Sequence, residues 1–276
     1  MRADEWLSSL PRHVHLYQAL GYKLPTFVHL PIILGPDRSK LSKRHGATSV
    51  LEYRDAGFLP GAILNFLALL GWSLDDSSEL FSRDQLIDNF TIDRIGDSAA
   101  AFDIDKLYWM NGVYLRDLSN SELATEIEPF LNISANLALG TSGRPALVDI
   151  VPVIKERIKT LTEADEMISF FGDHGLEYDP TLLVPKGLDE SHVTTILDSV
   201  HPIIDGTTDF ITGTLETVLR AHAAELELKP GQVFSVLRVA LTGRTVAPPL
   251  FETMEILGKT QCLERIKRAK TLMENR

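Results

Sequence analysis

Cys262 is the lone cysteine in 276 residues, so no disulfide can close within the chain and a thiolate zinc site lacks its second sulfur. Long apolar runs are missing as well. The longest, Ala62 to Leu70, is interrupted by Asn65 and falls far short of the roughly 20 residues a membrane-spanning helix requires. The opening MRADEWLSSL reaches charge and Trp6 at once and holds no apolar h-region, which argues against a secretory leader and predicts a cytoplasmic protein with no membrane partner. No Walker-type phosphate loop, G-x-G-x-x-G or G-x-S-x-G occurs, which removes the P-loop, dinucleotide-fold and nucleophile-elbow chemistries. The eight histidines include no i, i+4 pair beside a glutamate; no metal ligand is therefore assigned. No repeat or low-complexity tract stands out. With 44% hydrophobic and 24% charged residues the chain has the composition of a folded protein rather than a disordered one.

Positive charge is scarce overall but unevenly spread. The net charge of −11 argues against a polyanionic partner unless cations are concentrated locally. Residues 229–276 carry nine Lys/Arg against four acids, a balance of +5, which leaves −16 for the other 228 residues. A second basic knot, Arg38, Lys40, Lys43 and Arg44, occupies seven residues near the start.

Helical periodicity dominates after residue 47. Ser49–Ala56 runs to Gly57, a favourable residue after a helix end; Pro60 opens the apolar run that stops at Gly71. Ser119 with Glu122, and Thr160 with Glu163, have capping-box spacing. Further helices are predicted near 84–90, 103–111, 145–159, 189–200, 207–227, 230–241, 248–257 and 259–272. Phe27–Leu34 is the one good strand candidate, and it leads into the turn Gly35-Pro36-Asp37. A lone strand makes no sheet, so the first 45 residues look like the end of something larger. Segments 132–144 and 178–189, rich in Gly, Ser and Pro, read as connections. They divide the chain into a small mixed unit up to about residue 118 and two helical units, 119–180 and 181–276.

The cluster Lys40-Leu41-Ser42-Lys43-Arg44-His45-Gly46 follows that strand and turn directly. Two ammonium groups three residues apart, a guanidinium and a glycine that permits close backbone approach suit a loop that closes on a triphosphate. In adenylyl transfer the pyrophosphate leaving group gathers charge, and a lysine placed there favours the transition state. A solvated basic turn is the alternative on residue types alone.

The stretch HLPIILGPDRSKLSKRHGATSVLEYRDAGFLPGAILNFLALLGWS resembles the region of bacterial-type glutamyl-tRNA synthetases that holds the second class I signature loop. The resemblance extends in order through RADEWLSSLPRHVHLYQALG, FDIDKLYWMNGVYLRDLS and LKPGQVFSVLRVALTGRTVAPPLFETMEILGKTQCLERIKRA, and is least distinctive over 172–225. Glutaminyl enzymes are similar around the loop but continue into β-barrels where this chain reads helical. The family's His-Ile-Gly-His signature has no counterpart in these residues, so the resemblance implies a C-terminal portion lacking the N-terminal half of the catalytic domain.

What the resemblance implies is a mainly α chain: a remnant of the class I catalytic domain and stem-contact region over 1–118, then an all-helical anticodon-binding cage in two subdomains. Lys40, Ser42, Lys43 and Arg44 fall on the signature loop, with Lys43 as the main phosphate contact. Arg2, Glu5 and Trp6 fall on the amino-acid and ATP pocket, with Arg2 expected to meet the substrate carboxylate. Arg157, Arg238 and Leu250 fall on positions that face the tRNA anticodon. The complete enzyme would take glutamate, ATP with Mg2+ and a glutamate tRNA, form glutamyl-adenylate and transfer the acyl group to tRNA as a monomer. Two alternatives share these features: a non-catalytic tRNA-binding module of the same family, and a fragment of a class I lysyl-tRNA synthetase.

Overall fold

A computed structural model describes residues 1–45, 49–132, 139–140, 145–172 and 176–275. The side chain of Lys43, together with Gly46, Ser142, Gly143, Arg144 and His174, lies outside the described residues. The chain divides into two compact units, Met1–Asp117 and Leu118–Arg276, and both are mainly helical.

The first unit opens on β1 (Arg2–Ala3), which pairs in parallel with β2 (His29–Leu30), Arg2 opposite His29 and Ala3 opposite Leu30. The expected strand Phe27–Leu34 is thus cut to two residues. Pro31 carries no N–H to donate into a ladder, and regular pairing stops at the residue before it. Between the strands runs α1 (Leu10–Ala19), with a proline in its first turn. Sequence pattern misses this helix because it buries none of its residues; Leu16 is 56% exposed. Indeed no residue before Gly35 is buried.

Helices α2 (Val50–Asp55), α3 (Pro60–Ala68), α4 (Arg83–Asn89) and α5 (Ile104–Asp117) complete this unit. Ser49 and Glu52 close a full capping box on α2, and Ser82 with Gln85 does the same on α4. Gly57 (φ 82°) and Gly71 (φ 109°) take the left-handed backbone that ends the segments before them. Helix α5 buries Leu107, Met110, Asn111 and Leu115, a 3–4 spacing that turns one stripe inward. Leu107 and Met110 meet Phe58 and Phe66 in the main core, while Trp72, Phe81 and Leu86 form a second cluster.

The second unit consists of α6 (Asn120–Ile127), α7 (Leu147–Ile154), α8 (Glu163–Gly172), α9 (Glu190–Gly206), α10 (Thr212–Glu225), α11 (Pro230–Thr242) and α12 (Leu250–Glu274) among the described residues. Ser119 and Glu122 form the expected capping box on α6. The box expected of Thr160 and Glu163 does not form. Helix α8 starts at Glu163 itself, whose carboxylate accepts from the Lys159 backbone N–H at 2.7 Å. Helix α12 is two helices in sequence, separated by Gly258 at φ 77° and ψ 158°, which matches the break expected between 257 and 259. Its two halves pack against α9, α10 and α11 around Val200, Leu219, Val236 and Met254, all fully buried.

Candidate functional site

The basic loop grows from a tight turn. Leu34 bridges to Lys40 in the antiparallel sense and to Ala101 in the parallel sense. Gly35 N–H donates to the Ser39 carbonyl at 2.8 Å, Leu41 N–H donates to the Ile33 carbonyl at 2.8 Å, and Arg38 takes a left-handed φ of 60° between them. Asp37 Oδ1 accepts from the Ser39 hydroxyl at 2.7 Å and from the Ser39 N–H at 2.9 Å, an Asx turn. These two bonds, with a smaller contribution from His45, hold the Asp37 carboxyl down to about 2. Beyond the turn, Lys43–His45 form one turn of 3-10 helix.

Among the described side chains of the loop, Lys40 is engaged with the segment that opens the chain and Arg44 with the turn. Lys40 Nζ meets Glu5 Oε2 in an ion pair. Arg44 Nη2 donates to Ser39 Oγ at 2.6 Å and lies 3.4 Å from Asp37 Oδ2. The Arg2 guanidinium sits over the Trp6 ring, 3.8 Å from its centroid. The structure therefore joins Lys40 to Glu5 across 35 positions of sequence, beside the local contact of Arg2 with Trp6. Both acid–base pairs of the loop are solvent-exposed, with side-chain exposures of 59% and 44% for Lys40 and Glu5. Pairs of that kind are worth no more than about 1 kcal/mol. A polyphosphate, carrying several charges and free oxygens, can take both cations away from their carboxylates at little cost.

Sequence reasoning singles out the cations and misses what holds them. His45, one of eight histidines, is largely covered, with 9% of its side chain accessible. Its Nδ1 lies 3.0 Å from the Ser42 backbone N–H, and its Nε2 lies 3.2 Å from Asp37 Oδ1. The ring packs against Gly35, where an added Cβ would stand 2.9 Å from it. The available signal was the Gly35-Pro36-Asp37-Arg38-Ser39 turn directly ahead of the loop. Among the described residues no group of three His, Cys, Asp or Glu is disposed to hold a metal ion, and no magnesium ligand is assigned.

In the second unit Arg157 is exposed just beyond α7 and lines a cavity of about 290 Å3 with Glu163, Met167, Phe170, Arg244 and Val246. Arg244, absent from the expected site, donates from Nη2 to Ser169 Oγ at 2.9 Å at this cavity. Arg238 is half-buried in the third turn of α11. Leu250 is 4% exposed at the start of α12, so in this conformation it contributes to the core and offers no surface. The basic tail is also less available than its count of charges implies. Arg265 is buried, Lys259 Nζ donates to the Asp205 carbonyl, and Lys270 pairs with Asp198 at 2.6 Å. No helix among the described residues is long and apolar enough to cross a membrane.

Comparison with known proteins places this geometry. Residues 1–109 match the model of the class I tRNA synthetase (E and Q) catalytic domain, and residues 122–270 match the anticodon binding domain. A glutamate–tRNA ligase of Dehalococcoides mccartyi strain BAV1 is 49% identical over 270 residues, covering 98% of this chain and 55% of the relative. One from Geobacter sulfurreducens is 40% identical over 278 residues, covering 99% and 58%. Among solved structures, a glutamate tRNA ligase from Elizabethkingia meningosepticum, in complex with its amino acid, superposes with a TM-score of 0.81 at 28% identity, covering 98% of this chain and 56% of that one. The chain spans about half the length of the relatives it matches. Its two units follow the two matched domains, one carrying the loop at Lys40–Arg44 and the other the helices of the anticodon binding domain, and the chain belongs to the glutamate–tRNA ligase family of class I synthetases.

Proposed function

We propose that this chain is the C-terminal part of a glutamate–tRNA ligase that holds the anticodon arm of a glutamate tRNA and supplies the phosphate-contacting loop for glutamyl-adenylate formation. In the complete enzyme, glutamate and ATP with Mg2+ are the small substrates. Residues 1–118 are the end of the catalytic domain with the stem-contact region; 119–180 and 181–276 are the two anticodon-binding subdomains. The observation that carries this reading is the union, in the first unit, of Lys40 of the loop with Glu5 of the RADEW segment. Groups assigned to ATP phosphates and to the amino-acid pocket are thereby neighbours. Lys40, Lys43 and Arg44 neutralise the triphosphate as charge moves onto the leaving pyrophosphate, and the Ser42 backbone approaches it closely. Arg2 offers a planar fork to the glutamate carboxylate.

On the tRNA side, Arg157 and Arg238 meet unstacked anticodon bases at their edges. The test is filter binding of the 276-residue chain to a glutamate tRNA and to the same tRNA with altered anticodon, at several salt concentrations. Arg157→Ala and Arg238→Ala should each weaken cognate binding by about 1–3 kcal/mol and the altered tRNA much less. Lys267→Ala, by contrast, should weaken both equally and reduce the salt slope by about one. Equal losses on both tRNAs for the two arginine variants would withdraw the anticodon assignment.

A further inference from the structure

We propose that His45 is a positioning residue: a neutral imidazole, protonated at Nε2, that pins the Ser42 backbone and the Asp37 turn together and so presets the loop for phosphate. The link to phosphate rests on the function proposed above; the pin itself does not. The tautomer follows from the partners. Ser42 N–H can only donate, and it points at Nδ1 from 3.0 Å. Asp37 Oδ1, ionised, can only accept, and it stands 3.2 Å from Nε2. A neutral imidazole has one donor and one acceptor nitrogen, and one assignment alone satisfies both neighbours: Nδ1 accepting, Nε2–H donating.

Arg44 Nε also lies 3.3 Å from Nε2. With Nε2 protonated this contact is no hydrogen bond; Arg44 is held through Ser39 Oγ at 2.6 Å instead. The opposite tautomer would accept from Arg44, but it would set Nδ1–H against the Ser42 N–H and a lone pair against the Asp37 carboxylate. Two close repulsions outweigh one long bond. The ring has little room to turn away, because it is packed on Gly35 and nine-tenths covered.

One consequence concerns protonation. The imidazolium carries hydrogens on both nitrogens, so Ser42 N–H loses its acceptor whenever His45 is charged. The charged groups that face the ring are Asp37 and Arg44. Ser42 should therefore be released in the protonated form of His45, and the loop should change from a braced to an unbraced form.

Proton–nitrogen correlation of the 15N-labelled chain reads this directly. With His45 neutral, the ring should show the pattern of a proton on Nε2 only. The Ser42 amide should then shift on acidification together with the His45 ring nitrogens. Amide exchange at Ser42 should accelerate roughly three- to tenfold in His45→Ala, the loss of one ordinary hydrogen bond. His45→Asn, whose Oδ1 can reach the same N–H, should restore protection without restoring contact to Asp37. Gly35→Ala, which displaces the ring while leaving both of its partners in place, should behave like His45→Ala. An Nδ1-protonated ring, or a Ser42 amide indifferent to pH and to His45→Ala, overturns the pin. Titration with inorganic pyrophosphate separates the two layers. Shifts of the Lys40–Ser42 amides that weaken in His45→Ala support the link to phosphate, whereas their absence from a wild-type chain with the expected ring pattern overturns that link and leaves the pin intact.

Discussion

Replacing Arg265 with methionine should lower the stability of the 118–276 unit by about 2–4 kcal/mol, read as a shift of the urea transition followed by far-UV circular dichroism. The guanidinium is 5% exposed. It donates from Nη1 to the Leu241 carbonyl at 2.6 Å and from Nη2 to the Phe170 carbonyl at 2.7 Å. Leu241 lies in the last turn of α11 and Phe170 in the last turn of α8, where carbonyls lack intrahelical donors and the helix end is partly negative. One side chain of α12 therefore caps two other helices at once. Its surroundings are apolar enough that burial pushes the Cys262 thiol and the Tyr178 hydroxyl each up to about 12, although Arg265 pulls both in the other direction. Methionine fills the volume but leaves two helix-end carbonyls without their donor. Arg265→Lys should recover only part of the loss, since one ammonium on a flexible stem does not span both carbonyls. A methionine variant as stable as the wild type would show that desolvating the charge costs as much as its two bonds return.

Arg265 also shows where reading from sequence stops. It belongs to the basic tail by position, and charge counting treats it as a cation available to a polyanion; only the packing of three helices shows it to be internal. Leu250, which the resemblance puts among the residues that face the anticodon, is likewise buried, 4% exposed. The helices with one apolar stripe, such as α5 with Leu107, Met110 and Leu115 or α9 with Val193, Leu197 and Val200, are readable because 3–4 spacing is local information. So is the capping box at Ser119, whereas the same spacing at Thr160 closes none. Helix α1 is not, because a helix with no buried face leaves no stripe. The Phe27–Leu34 strand was overextended because its partner, two residues at the start of the chain, is non-local and Pro31 interrupts the ladder. In the candidate site the closely spaced cations Lys40 and Arg44 were readable. The pairing of Lys40 with Glu5, and the clasp of His45 between Ser42 and Asp37, depend on how a turn folds back and carry no periodic signature.

Asn65 is the sharpest case, and Asn65→Leu should cost the first unit about 2–5 kcal/mol, measured by the fluorescence of Trp72 during urea unfolding. In sequence Asn65 merely interrupts the apolar run of α3. In the fold it is 0% exposed. Its Oδ1 accepts from the Phe81 backbone N–H at 2.8 Å, and its Nδ2 donates to the Glu79 carbonyl at 3.0 Å. The carboxamide thus pairs with 79–81 as a neighbouring strand would, for a segment that belongs to no strand. Both partners are fixed donors or acceptors, so the orientation of the amide is unambiguous. Tyr114 reinforces the junction: its hydroxyl stands 2.6 Å from the Phe81 carbonyl and 2.9 Å from Asn65 Oδ1, and its single proton goes to the nearer acceptor. Leucine matches the volume of asparagine closely enough to avoid a large cavity, but it leaves a buried N–H and a carbonyl unpaired at roughly 1–3 kcal/mol each. Trp72 packs on Phe81 with ring centroids 5.7 Å apart, so its emission reports the junction itself. Asn65→Asp separates hydrogen bonding from shape. Burial there raises the folded-state carboxyl above its unfolded value, so this variant should be most stable below the unfolded pKa and lose stability as pH rises toward neutrality. Asn65→Leu should show no such slope, and a leucine variant within about 0.5 kcal/mol of the wild type would mean that water or a shifted backbone satisfies Phe81 and Glu79 without the amide.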